Sequence, residues 1–143
     1  MNNSQNLDRF IKAQEKVYQQ VITELRNGRK TSHWMWYIFP QLEKLGRSST
    51  ALFYGIKNLA EAKAYLEHPV LGARLKECCQ ILLDIEETSV DRIFGSPDNK
   101  KLKSSMTLFN AVPDSFPVFE QVLTKFFDGQ LDDKTLLLIN MNS

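Results

Sequence analysis

The sequence contains few cysteines and no long apolar run. Its only two cysteines, Cys78 and Cys79, are neighbours. Adjacent side chains on a helix point about 100° apart, which suits two thiols better than a disulfide. No apolar run approaches the ~20 residues that span a bilayer, and the polar residues 1–6 lack the layout of a signal peptide. We therefore expect a cytoplasmic protein that does not bind membranes.

An excess of charge of either sign is also missing. Lys and Arg number 18 and Asp and Glu 17, so the net charge of +1 creates no field that would draw the chain onto nucleic acid. Hydrophobic residues make up 43% and charged residues 24%, which excludes a disordered chain. A length of 143 residues predicts one domain over residues 1–143, with a flexible N-terminal segment at residues 1–6.

The sequence lacks the common motifs of catalysis and cofactor binding. It has no phosphate-binding glycine loop, no nucleophile-elbow pattern and no His or Cys pair at metal-binding spacing. His33 and His68 are its only histidines. We predict no metal site and no cofactor. Whether the chain is an enzyme stays open at this point, but an enzyme of this kind is expected to be a metal-independent hydrolase or transferase.

Apolar residues recur at helical spacing along most of the chain. In the first such segment Phe10, Val17, Val21 and Leu25 form one stripe, and Gly28 follows as a C-terminal stop. Similar stripes and capping patterns predict helices over residues 8–27, 58–68, 69–85, 97–109 and 117–127, a helical turn at 90–94, and a final apolar segment at 134–141. We predict an all-α (mainly α) fold, a compact single-domain bundle of about six helices with short connections.

Residues 28–41 combine cationic, aromatic and amide side chains in the way that binding pockets do. Trp34 and Trp36 offer flat faces for a ring, Lys30 can hold an anion, and Gln41 can donate or accept hydrogen bonds. Core packing is the competing interpretation, because tryptophans are strongly buried. The density of polar groups among the aromatic ones favours a pocket, since burying them for packing alone is costly.

The same segment holds the candidate catalytic residues, His33 and Ser32. His33 can exchange a proton near neutral pH, although a lone histidine is more often structural. If Thr31 or Ser32 caps a short helix that ends at Pro40, its backbone donors face the anion. The composition also permits a strand here.

A second candidate is the helix that includes residues 100–107. Lys101, Ser104 and Ser105 lie toward one flank and could close the same anion site as Lys30. A solvated helix face is the favoured alternative, and spacing alone does not establish that the two segments meet.

Gln14 falls in the middle of the apolar stripe of the first helix, with Glu24 at its edge. Polar groups in such positions must find partners. Gln14 either ties down a neighbouring loop or binds the ligand.

Three long motifs carry a resemblance to a known family: GRKTSHWMWYIFPQ at residues 28–41, YLEHPVLGARL at 65–75 and KLKSSMTLF at 101–109. The chain resembles the bacterial family catalogued as domain of unknown function 1810, some of whose members carry the misleading label calpastatin. The likeness runs from Asp8 to about Thr135. It implies a compact, mainly helical single domain and brings no established activity. One departure from the family pattern is Lys44, which stands near a position where we expect glycine.

The residues therefore support three functional hypotheses. The first is a small-molecule site, in an enzyme or a binding protein, for an anionic, phosphorylated or nucleotide-like ligand. The second is a non-catalytic protein-interaction module that uses exposed aromatics with a basic rim. Binding of single-stranded nucleic acid uses the same side chains, but the neutral net charge makes it the least favoured.

Overall fold

The helices predicted from apolar periodicity are all present in the computed structural model, which describes residues 3–141. Nine α-helices lie in this part of the chain: α1 Asn3–Arg26, α2 Met35–Ile38, α3 Ser49–Phe53, α4 Leu59–Glu67, α5 Leu71–Asp84, α6 Val90–Phe94, α7 Asp98–Asn110, α8 Val118–Phe127 and α9 Asp133–Met141. A 3-10 turn spans Glu43–Leu45. The only extended pairing between the described residues is an isolated bridge of Leu42 with Ile56, so the all-α prediction is confirmed.

Two helices form the centre of the bundle. α5 packs against α1, α4 and α8, while α7 packs against α4, α6, α8 and α9. Between them lies an apolar core to which Phe10, Leu75 and Phe109 contribute. Cys78 and Cys79 are buried free thiols in this core, as predicted. Burial raises the pKa of the Cys78 thiol to about 12, so it behaves as a small neutral core residue.

Local capping explains several helix ends. Asn58 Oδ1 accepts a hydrogen bond from the Glu61 backbone N–H at 2.9 Å and starts α4, as its spacing predicts. α4 ends where His68 precedes Pro69. The His68 ring then caps α5, because its Nδ1 accepts from the N–H groups of Val70 and Leu71 at 3.1 and 3.3 Å.

The structure differs from the prediction mainly in its short helices. α2 and α3 contain four and five residues, too few for a periodic stripe to be recognised. α6 lies at the helical turn predicted for residues 90–94. Neither Thr31 nor Ser32 caps α2: its N-cap is Trp34, which makes no side-chain capping bond. Of residues 1–6, residues 1 and 2 lie outside the described part, and residues 3–6 belong to α1.

A close backbone approach places α3 beside α2. Ile56 N–H donates to the Gln41 carbonyl and Glu43 N–H donates to the Ile56 carbonyl, both at 2.9 Å. Gly55 makes this approach possible, since a Cβ at that position would lie 2.2 Å from Glu43 Cβ. Within residues 3–141, no helix has the length and apolar character needed to cross a membrane.

Candidate ligand-binding cleft

A buried carboxylate from α1 orders the start of the predicted site segment. Glu24 accepts hydrogen bonds from the backbone N–H groups of Thr31 and Ser32 at 2.7 and 3.1 Å. It also accepts from Ser32 Oγ at 2.7 Å, Trp34 Nε1 at 2.9 Å and Gln20 Nε2 at 3.0 Å. These five donors fix the backbone and the indole ring in one arrangement.

This network keeps Glu24 ionised. Burial raises the pKa of its carboxyl group, but the hydrogen bonds, led by the one from the Ser32 hydroxyl, outweigh burial and lower the pKa from 4.5 to about 2. The sequence suggested that the backbone N–H groups of Thr31 and Ser32 bind the anion of a ligand. They donate instead to the Glu24 carboxylate, an anion of the protein itself. The position of Glu24 at the edge of the apolar stripe was the sequence signal for this role.

A lysine pair meets at one aspartate where α7 begins. Lys30 Nζ lies 2.8 Å from Asp98 Oδ2, and Lys101 Nζ lies 3.7 Å from Asp98 Oδ1. The Lys30 side chain is only 7% exposed, whereas that of Lys101 is 24% exposed. The two ammonium groups and one carboxylate sum to a net charge of +1. Lys101 is the more accessible cation of this cluster.

Both lysines also lie against tryptophan rings. Lys30 Nζ is 5.0 Å from the ring centroid of Trp34, and Lys101 Nζ is 5.2 Å from that of Trp36. These are cation–π distances. The helix that includes residues 100–107 therefore meets the segment 28–41, a contact that spacing alone did not establish.

A cleft of about 430 Å³ opens beside this cluster. Its lining comes from the segment before and within α2 and from the loop and first turn of α7: Lys30, Thr31, Ser32, His33, Met35, Trp36, Phe94, Ser96, Pro97, Asp98 and Lys101. Lys30 N–H donates to the Ile93 carbonyl at 2.7 Å, which ties the two sides together. His33 is exposed at this cleft.

The family of the chain follows from a sequence comparison. The profile of the family described as "Protein of unknown function (DUF1810)" matches residues 4–139. The chain belongs to this family. A crystal structure of the conserved hypothetical protein Rv1873 from Mycobacterium tuberculosis is similar to this DUF1810 chain, with 47% sequence identity and a TM-score of 0.92. The match covers 94% of this chain and 96% of the mycobacterial one. No match was found among curated protein sequences.

Four of the predicted ligand-binding residues of this DUF1810 chain lie below the surface and do not line the cleft. Trp34 is 1% exposed and Gln14 1% exposed, while Ser104 and Ser105 face the interior of the bundle. The serines are covered because α7 packs on several helices and only its first turn reaches the cleft. Ser104 Oγ donates to the Lys100 carbonyl at 3.2 Å, and Ser105 Oγ has no hydrogen-bond partner among the described residues.

Gln14 adopts the first of the two roles considered for it. Its Nε2 donates to the Tyr37 carbonyl at 2.7 Å and to the Tyr65 hydroxyl at 3.0 Å, and its Oε1 accepts from Arg74 at 3.3 Å. Gln14 thus ties the end of α2 to α4 and α5. Gln41 lies nearer the cleft, in a small adjoining pocket that it shares with Trp36 and Lys101.

Two features of this DUF1810 site were not selected from the sequence. Asp98 is a first-turn acid of α7, and its position three residues before Lys101 was the available sequence signal. Phe53 and Tyr54 line the same hollow as Trp36, which no local pattern indicates. Over residues 3–141, no group of three or more His, Cys, Asp or Glu side chains is placed to hold a metal ion.

Proposed function

We propose that the cleft binds a small anionic ligand that carries a phosphate group. The supporting observation is the placement of the partly exposed Lys101 ammonium beside Trp36 and Asp98 in a concave site, where Lys30, Lys101 and Asp98 together carry a net charge of +1. A phosphate accepts charge-assisted hydrogen bonds from such a cation. Lys30 is more deeply buried and serves to hold Asp98 and, through it, to position Lys101. We place this activity in the cytoplasm, where the buried thiol pair suits a reducing environment.

If the ligand is a substrate, His33 is the better candidate for proton transfer. It lines the cleft and is exposed. Ser32 Oγ lies 2.7 Å from Glu24, whose pKa of about 2 makes it a weak base. Ser32 is therefore poorly activated as a nucleophile. In this proposal Ser32 shapes the floor of the cleft instead of attacking the substrate.

Lys101→Ala is expected to weaken binding of ribose 5-phosphate by about tenfold or more, because one charge-assisted hydrogen bond is lost. Lys100→Ala is the matched control, since Lys100 is an exposed neighbour on α7 that does not line the cleft. It should change affinity by less than about twofold, through screened surface charge only. Titration calorimetry and thermal shift measure both variants. Equal losses in the two variants, or none in Lys101→Ala, would exclude the cleft as the anion site.

His33→Ala is expected to leave the melting temperature and ribose 5-phosphate binding unchanged and to lower any turnover by about 100-fold or more. Turnover is followed by NMR on a panel of phosphate esters and nucleoside phosphates. Arg29→Ala, a change at another exposed residue in the same segment, is the control. A fully active His33→Ala protein would remove His33 from the mechanism.

A separate observation supports a second function, the non-catalytic interaction module. Leu52 and Phe53 are 50% and 59% exposed on α3. Neighbouring exposed apolar side chains of this size are typical of binding surfaces. Binding of single-stranded nucleic acid is still the least favoured function, because the net charge of +1 gives little attraction for a polyanion.

A further inference from the structure

Four aromatic side chains surround a second hollow next to the cleft. Trp36, Tyr37, Phe53 and Tyr54, which we call the aromatic shelf, line a shallow hollow of about 550 Å³. The ring centroids of Tyr37 and Tyr54 are 5.1 Å apart, and those of Phe53 and Tyr54 are 4.8 Å apart. The hydroxyl residues Ser49 and Thr50 complete its edge.

The exposed ring of the shelf stands on a fixed backbone. The Phe53 carbonyl accepts a hydrogen bond from Arg9 Nε at 2.7 Å, and the Gly55 carbonyl, two residues further on, accepts from Arg9 Nη2 at 3.0 Å. Ser48 Oγ caps α3 by accepting from Ala51 N–H at 3.1 Å. Phe53 nevertheless leaves 59% of its surface in solvent. A rigid support for an exposed ring lowers the entropy that is lost when a ligand binds.

The shelf and the cleft share one residue, Trp36, which lines both hollows. Lys101 Nζ lies 5.2 Å from the centroid of its ring, so the cation of the cleft sits directly beside the start of the shelf. A ligand that extends across Trp36 meets a positive charge at one end and a group of aromatic rings at the other.

We infer that the aromatic shelf is a ring-binding subsite and that the ligand is a nucleotide, with its base on the shelf and its phosphate at Lys101. This inference rests on the proposed anion-binding function of the cleft. Aromatic side chains bind any of the bases through stacking. Ser49 and Thr50 offer hydroxyl groups for the polar edge of a base or for a ribose. The cation at one end of the surface favours a phosphorylated ligand over an uncharged one.

The test is titration calorimetry of the intact protein with adenosine 5′-monophosphate, ribose 5-phosphate and adenosine. Adenosine 5′-monophosphate is expected to bind about tenfold more tightly than ribose 5-phosphate, because only the nucleotide carries a base that stacks. Phe53→Ala should remove most of this advantage and leave the affinity for ribose 5-phosphate unchanged. Leu52→Ala, a neighbour on α3 of similar exposure that does not line the hollow, should change neither affinity.

The three probes distinguish an incorrect assignment of base binding to the aromatic shelf from an incorrect assignment of phosphate binding to the cleft. If the nucleotide and ribose 5-phosphate bind equally, in the wild type and in Phe53→Ala, base binding at the shelf is overturned and phosphate binding at the cleft still stands. Binding of adenosine that depends on Phe53, with no contribution from phosphate, would overturn the cleft and with it the nucleotide assignment. Binding of none of the probes would overturn both and direct the search to a protein partner that covers Leu52 and Phe53.

Discussion

Trp34→Ala is expected to lower the free energy of unfolding by about 3–5 kcal/mol, the range for truncation of a fully buried tryptophan. Trp34 is 1% exposed and packs at ring-centroid distances of 6.2 Å from Phe39 and 6.4 Å from Phe94. The change leaves a cavity between α2 and α6 and also removes the indole donor to Glu24. Urea denaturation followed by circular dichroism measures the effect.

Trp36→Ala is the matched control for this prediction. Trp36 is only half-buried and lies at the wall of the cleft, so its truncation opens the cleft without creating an enclosed cavity. We expect a smaller loss than for Trp34→Ala, together with weaker ligand binding. If the two variants lost the same free energy of unfolding, the assignment of Trp34 to the core and Trp36 to the site would be incorrect.

Glu24→Gln is expected to cost about 3 kcal/mol of unfolding free energy at neutral pH. The carboxylate accepts hydrogen bonds from Thr31, Ser32, Trp34 and Gln20, whereas an amide accepts through one atom only and opposes the remaining donors with its own N–H groups. A buried donor left without a partner costs about 1–3 kcal/mol. The control is Glu15→Gln, which alters an exposed carboxylate on the same helix and should change stability little.

The stabilisation that is lost in Glu24→Gln is expected to depend on pH. Folding lowers the pKa of Glu24 from 4.5 to about 2. The contribution of the ionised carboxylate to the free energy of unfolding is therefore fully present above about pH 4.5 and is lost as the pH falls toward 2. The difference in unfolding free energy between the wild type and Glu24→Gln should therefore narrow between pH 4.5 and 2. A difference that is constant across this interval would show that Glu24 stabilises the protein through packing rather than through its charge.

The long helices could be predicted because their signals are local. The stripe of α1, the cap at Asn58 and the stop at Gly28 each depend on residues within a few positions of one another. The local signals left the segment of α2 open between a short helix and a strand, and they gave no prediction for α3. The positions of these two helices depend on long-range contacts, such as those of Gln14 with the Tyr37 carbonyl and of Arg9 with the Phe53 carbonyl.

In the candidate site, too, local signals predicted some features and long-range packing decided the others. The composition of residues 28–41 indicated a binding segment, and Lys30, His33 and Trp36 lie at the cleft. Ser104 and Ser105 do not, because the depth of a helix face in a bundle depends on how many helices cover it. The apolar stripe of α1 likewise marked Glu24 as a polar group in need of partners but did not identify them.

The sequence by itself determined the all-α class, the long helices, the thiol state of the cysteine pair and the family, since each depends on composition, periodicity or motif. Only the tertiary structure decided which of Trp34 and Trp36 is buried. It also decided that Lys101 and Lys30 share the Asp98 carboxylate and that the aromatic shelf adjoins the cleft. These relations join residues far apart in the chain. Packing of α1, α3 and α7 around α2 creates them, and no local pattern encodes the distances between such helices.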